Sequence, residues 1–325
     1  MRGYRLAIAL GALVTWAASP IAAQEALKVD PSIPAYQKTS GVSGNLNSIG
    51  SDTMNNLMTL WAEGFGKFYP NVKIQVEGKG SSTAPPALIA GTAQLGPMSR
   101  PMKNTEMDAF ETQFSHKPLQ LRTSLDSLAV YVNKDNPLEA LSVPQVDAVF
   151  SKTRAQGLTD SITTWGQVGL SGDWATKPIS IYGRNSASGT YGFFKEHVLK
   201  NGDYKDEVKE QPGSASVVQG VTEDLGGIGY SGIGYRTSGV KALALAPKEG
   251  AAAIAATPAN VYNATYPLTR FLFLYVNKDP NKPLDPLIHE FLKFVLSKEG
   301  QEVVIKDGYL PLPAAVVTED LKKIQ

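Results

Sequence analysis

Four short loops rich in glycine, serine and threonine are the segments of this sequence best suited to chemistry. Each lies between a predicted strand and a predicted helix, where a helix start offers unpaired N–H groups and the positive end of its dipole. Serine and threonine add hydroxyl donors, and glycine lets a ligand approach the backbone closely. One such loop alone is typical of an ordinary helix cap, but four in one chain predict a cleft that binds an oxyanion. The loops are residues 50–53 (Gly-Ser-Asp-Thr), 80–83 (Gly-Ser-Ser-Thr), 96–100 (Gly-Pro-Met-Ser-Arg) and 184–190 (Arg-Asn-Ser-Ala-Ser-Gly-Thr).

Two arginines within these loops could contact the anion. Arg184 ends an apolar stretch just before a Ser-Gly-Thr helix start, and an arginine there can bind an oxyanion through two parallel hydrogen bonds. The alternative for Arg184 is a structural ion pair. Arg100 could equally reach the ligand or hold its own lobe together through a carboxylate, and the sequence leaves both roles open.

Asp52 bears on which anion is bound. Sulfate at neutral pH has no proton to donate, so a sulfate site needs hydrogen-bond donors only. Phosphate still carries a proton that a carboxylate can accept, and the same carboxylate repels sulfate. An acidic residue at the start of an oxyanion loop therefore favours phosphate, unless Asp52 merely caps its helix.

Strands alternate with helices from about Asn45 onward, which predicts an α/β fold that can place these loops together. Pro85 and Pro86 fit only the first turn of their helix. Helical spacing covers residues 53–68, 83–90, 106–114, 143–150, 214–225 and 286–298, and strand-like stretches lie at 72–76, 93–96, 179–182 and 227–235.

Residues 129–135 and 273–279 are similar in sequence, with Tyr131 and Tyr275 at matching positions. They could be two unrelated strands that end in similar turns, or two crossover strands that link two lobes and serve as a hinge. The second interpretation places the ligand in a cleft between the lobes. It assigns lobe I to residues 41–130 and 272–325, and lobe II to residues 131–271.

The N-terminus has the order of a cleavable export signal, with Arg2 and Arg5 followed by an apolar stretch and then small residues up to Ala23. We expect residues 1–23 to be removed and residues 24–40 to form a mobile leader. Removal of the two arginines lowers the 31 Lys and Arg to 29, against 30 Asp and Glu. This balance gives no basic excess for binding nucleic acid or anionic lipid. The chain has no cysteine, which excludes disulfides, thiolate metal sites and a lipoprotein anchor.

The loops, in this order, resemble those of the periplasmic phosphate-binding component of the phosphate-specific ABC transporter, the PstS type. The resemblance runs from about Gly41 to the C-terminus and adds residues 227–235 to the four loops. Its most specific part is the Arg-x-x-x-Ser-Gly-Thr segment of residues 184–190. It implies a fold like that of the type II periplasmic binding proteins, with two α/β lobes joined by two crossover strands and a ligand cleft between them.

The resemblance also implies a set of ligand-binding residues. In the best-known members, an aspartate that accepts the phosphate proton matches Ser99, and an aspartate that supports the arginine matches Ser186. Both positions are serine here, and we hypothesise that Asp52 supplies the missing acceptor. The expected phosphate-binding residues are Ser51, Asp52, Thr53, Ser81, Ser99, Arg184, Ser188, Gly189 and Thr190, with Arg100 and Ser82 as further candidates.

We therefore expect a monomeric periplasmic protein that captures inorganic phosphate and delivers it to an inner-membrane ABC permease, without a cofactor or metal. The alternatives are another oxyanion, such as sulfate, molybdate or a phosphonate, and a secreted phosphatase. An enzyme is disfavoured because His116, His197 and His289 are isolated, without metal-ligand spacing. The sequence also lacks the Gly-x-Ser-x-Gly elbow of hydrolases and the Gly-Lys-Ser/Thr phosphate loop.

Overall fold

A computed structural model describes residues 27–325. The expected export signal, residues 1–23, and the first three residues of the expected leader lie outside the described residues. Among the helices described, none is long and apolar enough to cross a membrane.

Strands and helices alternate along the chain, which confirms the predicted α/β fold. The strands are Gly44–Gly50 (β1), Val72–Gly78 (β2), Gly96–Met98 (β3), Leu119–Asn133 (β4), Ala140–Ser142 (β5), Ser180–Arg184 (β6), Lys209–Gln211 (β7), Gly227–Gly232 (β8), Val240–Ala242 (β9), Ala244–Ala246 (β10) and Thr269–Val276 (β11). The helices are Asn55–Phe68 (α1), Ala84–Ile89 (α2), Asn104–Phe114 (α3), Val143–Phe150 (α4), Gly189–His197 (α5), Ser214–Glu223 (α6), Pro258–Tyr262 (α7), Pro286–Val295 (α8), Lys298–Lys306 (α9) and Ala314–Lys323 (α10). Short 3-10 turns lie at Asp52–Met54, Ser81–Thr83, Trp165–Val168, Gly172–Trp174 and Ile233–Tyr235.

The long strand β4 belongs to both lobes. Its first part, up to Ser127, pairs antiparallel with β11, and its last part, from Leu128, pairs with β8 and β9. The sheet therefore runs β3–β11–β4–β8–β6–β7, with β9 beside β4. Strands β1 and β2 pair in parallel, and a bridge from Ser48 to Leu95 joins β1 to the segment before β3.

Each lobe has its own apolar core. In lobe I, Leu57, Trp61 and Phe65 of α1 are buried together with Phe291 of α8. Their spacing of four residues places them on one helix face. In lobe II, a separate cluster forms around α4, α5 and β8 and includes Phe194. Two cores joined through one strand are what a two-lobed protein requires.

The strand pairing differs from what the two similar segments suggested. Tyr131 pairs with Gly229 of β8, whereas Tyr275 pairs with Gln120 at the opposite end of β4. The two similar segments are therefore strands that end in similar turns at distant places. The chain changes partner strands near Ser127 and Thr269, which face each other in register, a few residues before the predicted lobe boundaries.

The part of the leader that is described packs on lobe I instead of being mobile. Ile33 and Tyr36 are buried. The Tyr36 hydroxyl donates to Glu290 Oε2 at 2.7 Å and lies 2.8 Å from the Tyr69 hydroxyl. An aromatic side chain with apolar contacts and a satisfied hydroxyl anchors its segment, which composition alone did not indicate.

Candidate functional site

Four hydroxyl groups from four different loops meet where the lobes face each other. The Oγ1 atoms of Thr53 and Thr190 are 2.8 Å apart, and the Oγ atoms of Ser81 and Ser99 are 3.2 Å apart. Ser99 Oγ lies 3.5 Å from Thr190 Oγ1 and connects the two pairs. All four residues are at most 1% exposed. A buried cluster of hydroxyls offers several donors to one small polar ligand.

The local fold places each hydroxyl at a chain turn. Thr53 and Ser81 lie in the 3-10 turns that follow β1 and β2, Ser99 follows β3, and Thr190 lies in the first turn of α5. Ser188 caps α5, since its Oγ accepts from the Thr190 and Tyr191 amides. Hydroxyls grouped at the starts of helical turns are what an anion site uses, since such starts offer N–H groups and the positive end of a dipole.

The lobes are in close contact around this cluster. Ser82 N donates to Ala187 O at 3.1 Å across the cleft. A Cβ added at Gly80 would meet Ala187 O at 2.5 Å, and one added at Gly189 would meet Ser99 Oγ at 2.6 Å and approach Ser81 Oγ even more closely. Both glycines are therefore needed for steric reasons, and Gly80 also has a positive φ of 109°.

Arg184 and Asp52 form a second polar group beside the hydroxyls. Arg184 Nη2 lies 3.2 Å from Asp52 Oδ2, and its Nη1 donates to Ser214 Oγ at 2.7 Å. Arg184 is 1% exposed, and burial lowers the pKa of its guanidinium while the Asp52 carboxylate opposes that shift. Within residues 27–325, the buried Arg184 Nε has no hydrogen-bond partner. A ligand oxygen would satisfy this donor.

Asp52 supports Arg184 in the way that the resemblance assigned to an aspartate at position 186. Its Oδ2 accepts from Ser214 N at 2.7 Å as well as pairing with Arg184. Ser186 itself is exposed. The first turn of lobe I therefore holds the arginine of lobe II.

Sequence reasoning missed Arg270 and Asp126. Arg270 Nη2 donates to Thr190 Oγ1 at 2.9 Å, and its Nε and Nη2 donate to Asp126 Oδ2 at 2.9 and 2.7 Å. Asp126 lies in β4 and Arg270 in the largely apolar strand β11, and both are at most 5% exposed. The available signal was Arg270 directly before the apolar residues 271–276, since a charge beside a buried strand needs a buried partner.

The remaining candidates lie at the rim of the cluster. Arg100 binds Glu106 with two hydrogen bonds, of 2.8 and 2.7 Å, and donates to Pro101 O. Of its two predicted roles, the structure favours holding lobe I through a carboxylate. Ser82 Oγ lies 3.3 Å from Arg100 Nη2. Ser51 is buried, and its amide donates to Pro97 O at 2.7 Å, so it fixes the loop.

The chain is similar to known proteins along most of its length. A family model described as a PBP superfamily domain matches residues 35–299. The chain is 58% identical to the phosphate-binding protein PstS of Pseudomonas aeruginosa, over 97% of this chain and 98% of that protein. It is 29% identical to Protein SphX of Synechococcus elongatus, over 92% of this chain and 85% of that one.

The fold is similar to a crystal structure from Clostridium perfringens, assigned as a phosphate ABC transporter substrate-binding protein with phosphate bound. The TM-score is 0.70 at 26% identity, with 83% of this chain and 100% of that chain covered. An ABC-type phosphate transport receptor from Vibrio cholerae is similar in fold, with a TM-score of 0.62 at 23% identity over 82% of this chain and 100% of that one.

Proposed function

This chain belongs to the PstS family of phosphate-binding proteins within the PBP superfamily, and from that membership we propose that it captures inorganic phosphate for import by an ABC transporter. The observation that carries the proposal is the buried hydroxyl cluster of Thr53, Ser81, Ser99 and Thr190 between the lobes. Phosphate has four oxygens that accept hydrogen bonds, and the cluster supplies donors from both lobes. A ligand that bridges the lobes favours their closed arrangement.

We assign the predicted binding residues to this site, except that Arg100, Ser51 and Ser82 have structural roles. Ser81 and Ser99 contribute from lobe I, and Ser188, Gly189 and Thr190 from the start of α5 in lobe II. Asp52 and Thr53 follow β1, and Arg184 ends β6. Arg100 is assigned to lobe I structure because Glu106 occupies its guanidinium, and Ser51 and Ser82 shape the loops.

Asp52 is placed to distinguish phosphate from sulfate. Both of its side-chain contacts, with Ser214 N and Arg184, use Oδ2, which leaves Oδ1 to accept a hydrogen bond from the protonated oxygen of hydrogen phosphate. Fully ionised sulfate offers no such proton and is repelled by the carboxylate. With this role for Asp52, the site favours phosphate over other oxyanions, although Ser99 and Ser186 replace the aspartates of the best-known family members.

Several finer features belong to the same proposal. The protein acts outside the cytoplasm, in the periplasm, after removal of residues 1–23. It works as a monomer that presents its closed form to an inner-membrane ABC permease. It binds without catalysis, since its relatives are named for phosphate binding. The two lobes keep the predicted order along the chain, and their boundaries shift by a few residues, to near Ser127 and Thr269.

Isothermal titration of ligand-stripped protein lacking residues 1–23 tests the function directly. We expect saturable one-to-one binding of phosphate near neutral pH and no measurable binding of sulfate. Arg184→Ala should abolish phosphate binding, because it removes the charged donor with the unpartnered Nε. Absence of phosphate binding in the unmodified protein, or equal binding of sulfate, would contradict the proposal.

A further inference from the structure

Arg270 and Asp126 form a charge pair inside the two strands by which the chain passes between the lobes. They are partners in the register of β11 and β4 and are 5% and 0% exposed. Asp126 Oδ2 accepts from both Nε and Nη2 of Arg270, and Asp126 Oδ1 accepts from Ile233 N at 3.0 Å. The pair is charge-balanced and well bonded, as a buried ion pair must be.

The other donors of Arg270 reach the loops of the phosphate site. Nη1 donates to Ser99 O at 3.0 Å in lobe I, and Nη2 donates to Thr190 Oγ1 at 2.9 Å in lobe II. The ring of Phe193 lies against the guanidinium, 5.2 Å from its centroid to Cζ. Arg270 is thus held on several sides, and it connects a loop of lobe I to a loop of lobe II.

The direction of the bond to Thr190 has a chemical consequence. Arginine has five N–H donors and no acceptor, so the hydroxyl oxygen of Thr190 must accept from it. The hydroxyl hydrogen of Thr190 then points away from Arg270, toward the side where Thr53 Oγ1 lies 2.8 Å away. Because Arg270 occupies one lone pair of Thr190 Oγ1 and excludes the hydrogen from its own side, the hydroxyl has less capacity to accept, and its hydrogen is available to donate on the far side.

We propose that the Arg270–Asp126 pair is a positioning unit of the phosphate site, which fixes Thr190 as a hydrogen-bond donor to a ligand oxygen. This inference rests on the proposed function. Because Asp126 balances the charge of Arg270, the unit supplies direction and adds no net charge. Donors fixed in this way favour ionised oxygens of the ligand, while the single proton of hydrogen phosphate is left to a carboxylate elsewhere in the site.

A double-mutant cycle on phosphate affinity tests the proposal. The pair is replaced together, as Asp126→Asn with Arg270→Gln, so that no buried charge is left alone. We expect phosphate binding to weaken about 10- to 100-fold, the range for a hydrogen bond to a charged group. Thr190→Val alone should weaken it similarly, and the three changes together should cost little more than either, because the pair acts through Thr190.

The pH profile separates positioning from general structural damage. In the pair variant the freed Thr190 hydroxyl can accept a hydrogen bond from a protonated phosphate oxygen, so the loss of affinity should be smaller below the second pKa of phosphate than above it. A structural defect would weaken binding equally at both pH values. The matched control is Arg122→Gln with Asp320→Asn, an ion pair that also involves β4 but lies away from the cluster. It should leave phosphate affinity unchanged.

Each outcome has a distinct meaning. Additive losses, or a loss that does not change with pH, would overturn the positioning role. If the pair variant does not fold by circular dichroism, Arg270→Lys decides, since lysine keeps the charge but cannot hold Asp126, Ser99 and Thr190 in one plane. Unchanged phosphate affinity in the Arg270→Lys variant would also overturn the positioning role. If the unmodified protein binds no phosphate, the proposed function fails instead.

Discussion

Asp52 of lobe I and Arg184 of lobe II approach to 3.2 Å between Oδ2 and Nη2, and both contact Ser214 at the start of α6. Asp52, in the first oxyanion loop, thus binds Arg184, in the last one. The contact is partly shielded, since the Asp52 side chain is 21% exposed and that of Arg184 is 1% exposed. Interactions of this kind are stronger than those of fully exposed pairs.

Replacement of Asp52 by Asn should weaken phosphate binding about tenfold or more, because Arg184 loses its charged partner and the proton acceptor is removed. Sulfate binding should become measurable in the same variant, since the repelling carboxylate is gone. Titration calorimetry with each anion measures both effects. Asp173→Asn, at an exposed residue of the Gly172–Trp174 turn, is the control and should change neither. Unchanged phosphate affinity together with unchanged rejection of sulfate would show that Asp52 is only a helix-start residue.

Replacement of Gly189 by Ala should block the closed arrangement without unfolding either lobe. The added Cβ would lie 2.6 Å from Ser99 Oγ and against Ser81 Oγ, which forces the lobes apart. We expect at least about tenfold weaker phosphate binding, the scale of an overpacked contact, with little change in the melting temperature of the ligand-free protein.

Gly66 provides the matched control for that change. It lies in α1, and an added Cβ there would meet nothing within 4 Å. Gly66→Ala should leave phosphate affinity unchanged and raise stability by about 0.5–1 kcal/mol, as alanine does in place of glycine within a helix. Equal affinity of the Gly189→Ala variant and the unmodified protein would mean that the lobes do not close at Gly189.

The elements that the sequence predicted well are those with strong local signals. Helix α4 was predicted with the observed bounds, and α8 starts at Pro286 as expected, because proline is favoured in a first helical turn. The predicted loops hold Thr53, Ser81, Ser99 and Thr190, and these four hydroxyls do meet. Local propensity and hydroxyl-rich helix starts were sufficient to find them.

The elements that the sequence did not predict depend on long-range pairing. A strand was expected at residues 93–96, but β3 lies at Gly96–Met98, because those residues pair with β11. The division of β4 between two partner strands at Ser127 has no local signature. For the same reason the pairing of Arg270 with Asp126, 144 positions apart in sequence, could not be read from spacing.

Replacement of Glu106 by Gln should lower the melting temperature without changing phosphate affinity. Glu106 receives two hydrogen bonds from Arg100, whose side chain is 8% exposed. Removal of one charge leaves a largely buried guanidinium unpaired, which costs about 1–3 kcal/mol and corresponds to a few degrees in melting temperature. Thermal unfolding and phosphate titration of the variant provide the two measurements. A large loss of phosphate affinity with unchanged stability would mean that Arg100 contacts the ligand.

Replacement of Asp307 by Asn should stabilise the protein at high pH and have little effect at low pH. Asp307 ends α9 and packs beside Gly234, Tyr235 and Tyr309. Burial raises the pKa of its carboxyl from the ordinary 3.8 to about 7. Within the described residues 27–325, Asp307 Oδ2 has no hydrogen-bond partner, which agrees with a carboxyl that is more stable when protonated.

The direction in which the stability difference changes with pH follows from proton linkage. The folded state binds a proton at Asp307 more tightly than the unfolded state does, so its contribution to stability is complete below the unfolded pKa and is lost as pH rises through about 7. Asparagine resembles the protonated acid at every pH. The variant should therefore melt a few degrees higher than the unmodified protein at about pH 8, and the two should converge near about pH 4. Other titrating groups are common to both proteins and cancel in the difference. A melting-temperature difference that stays constant across this range would mean that Asp307 remains ionised in the folded protein, and that its oxygen is solvated or paired.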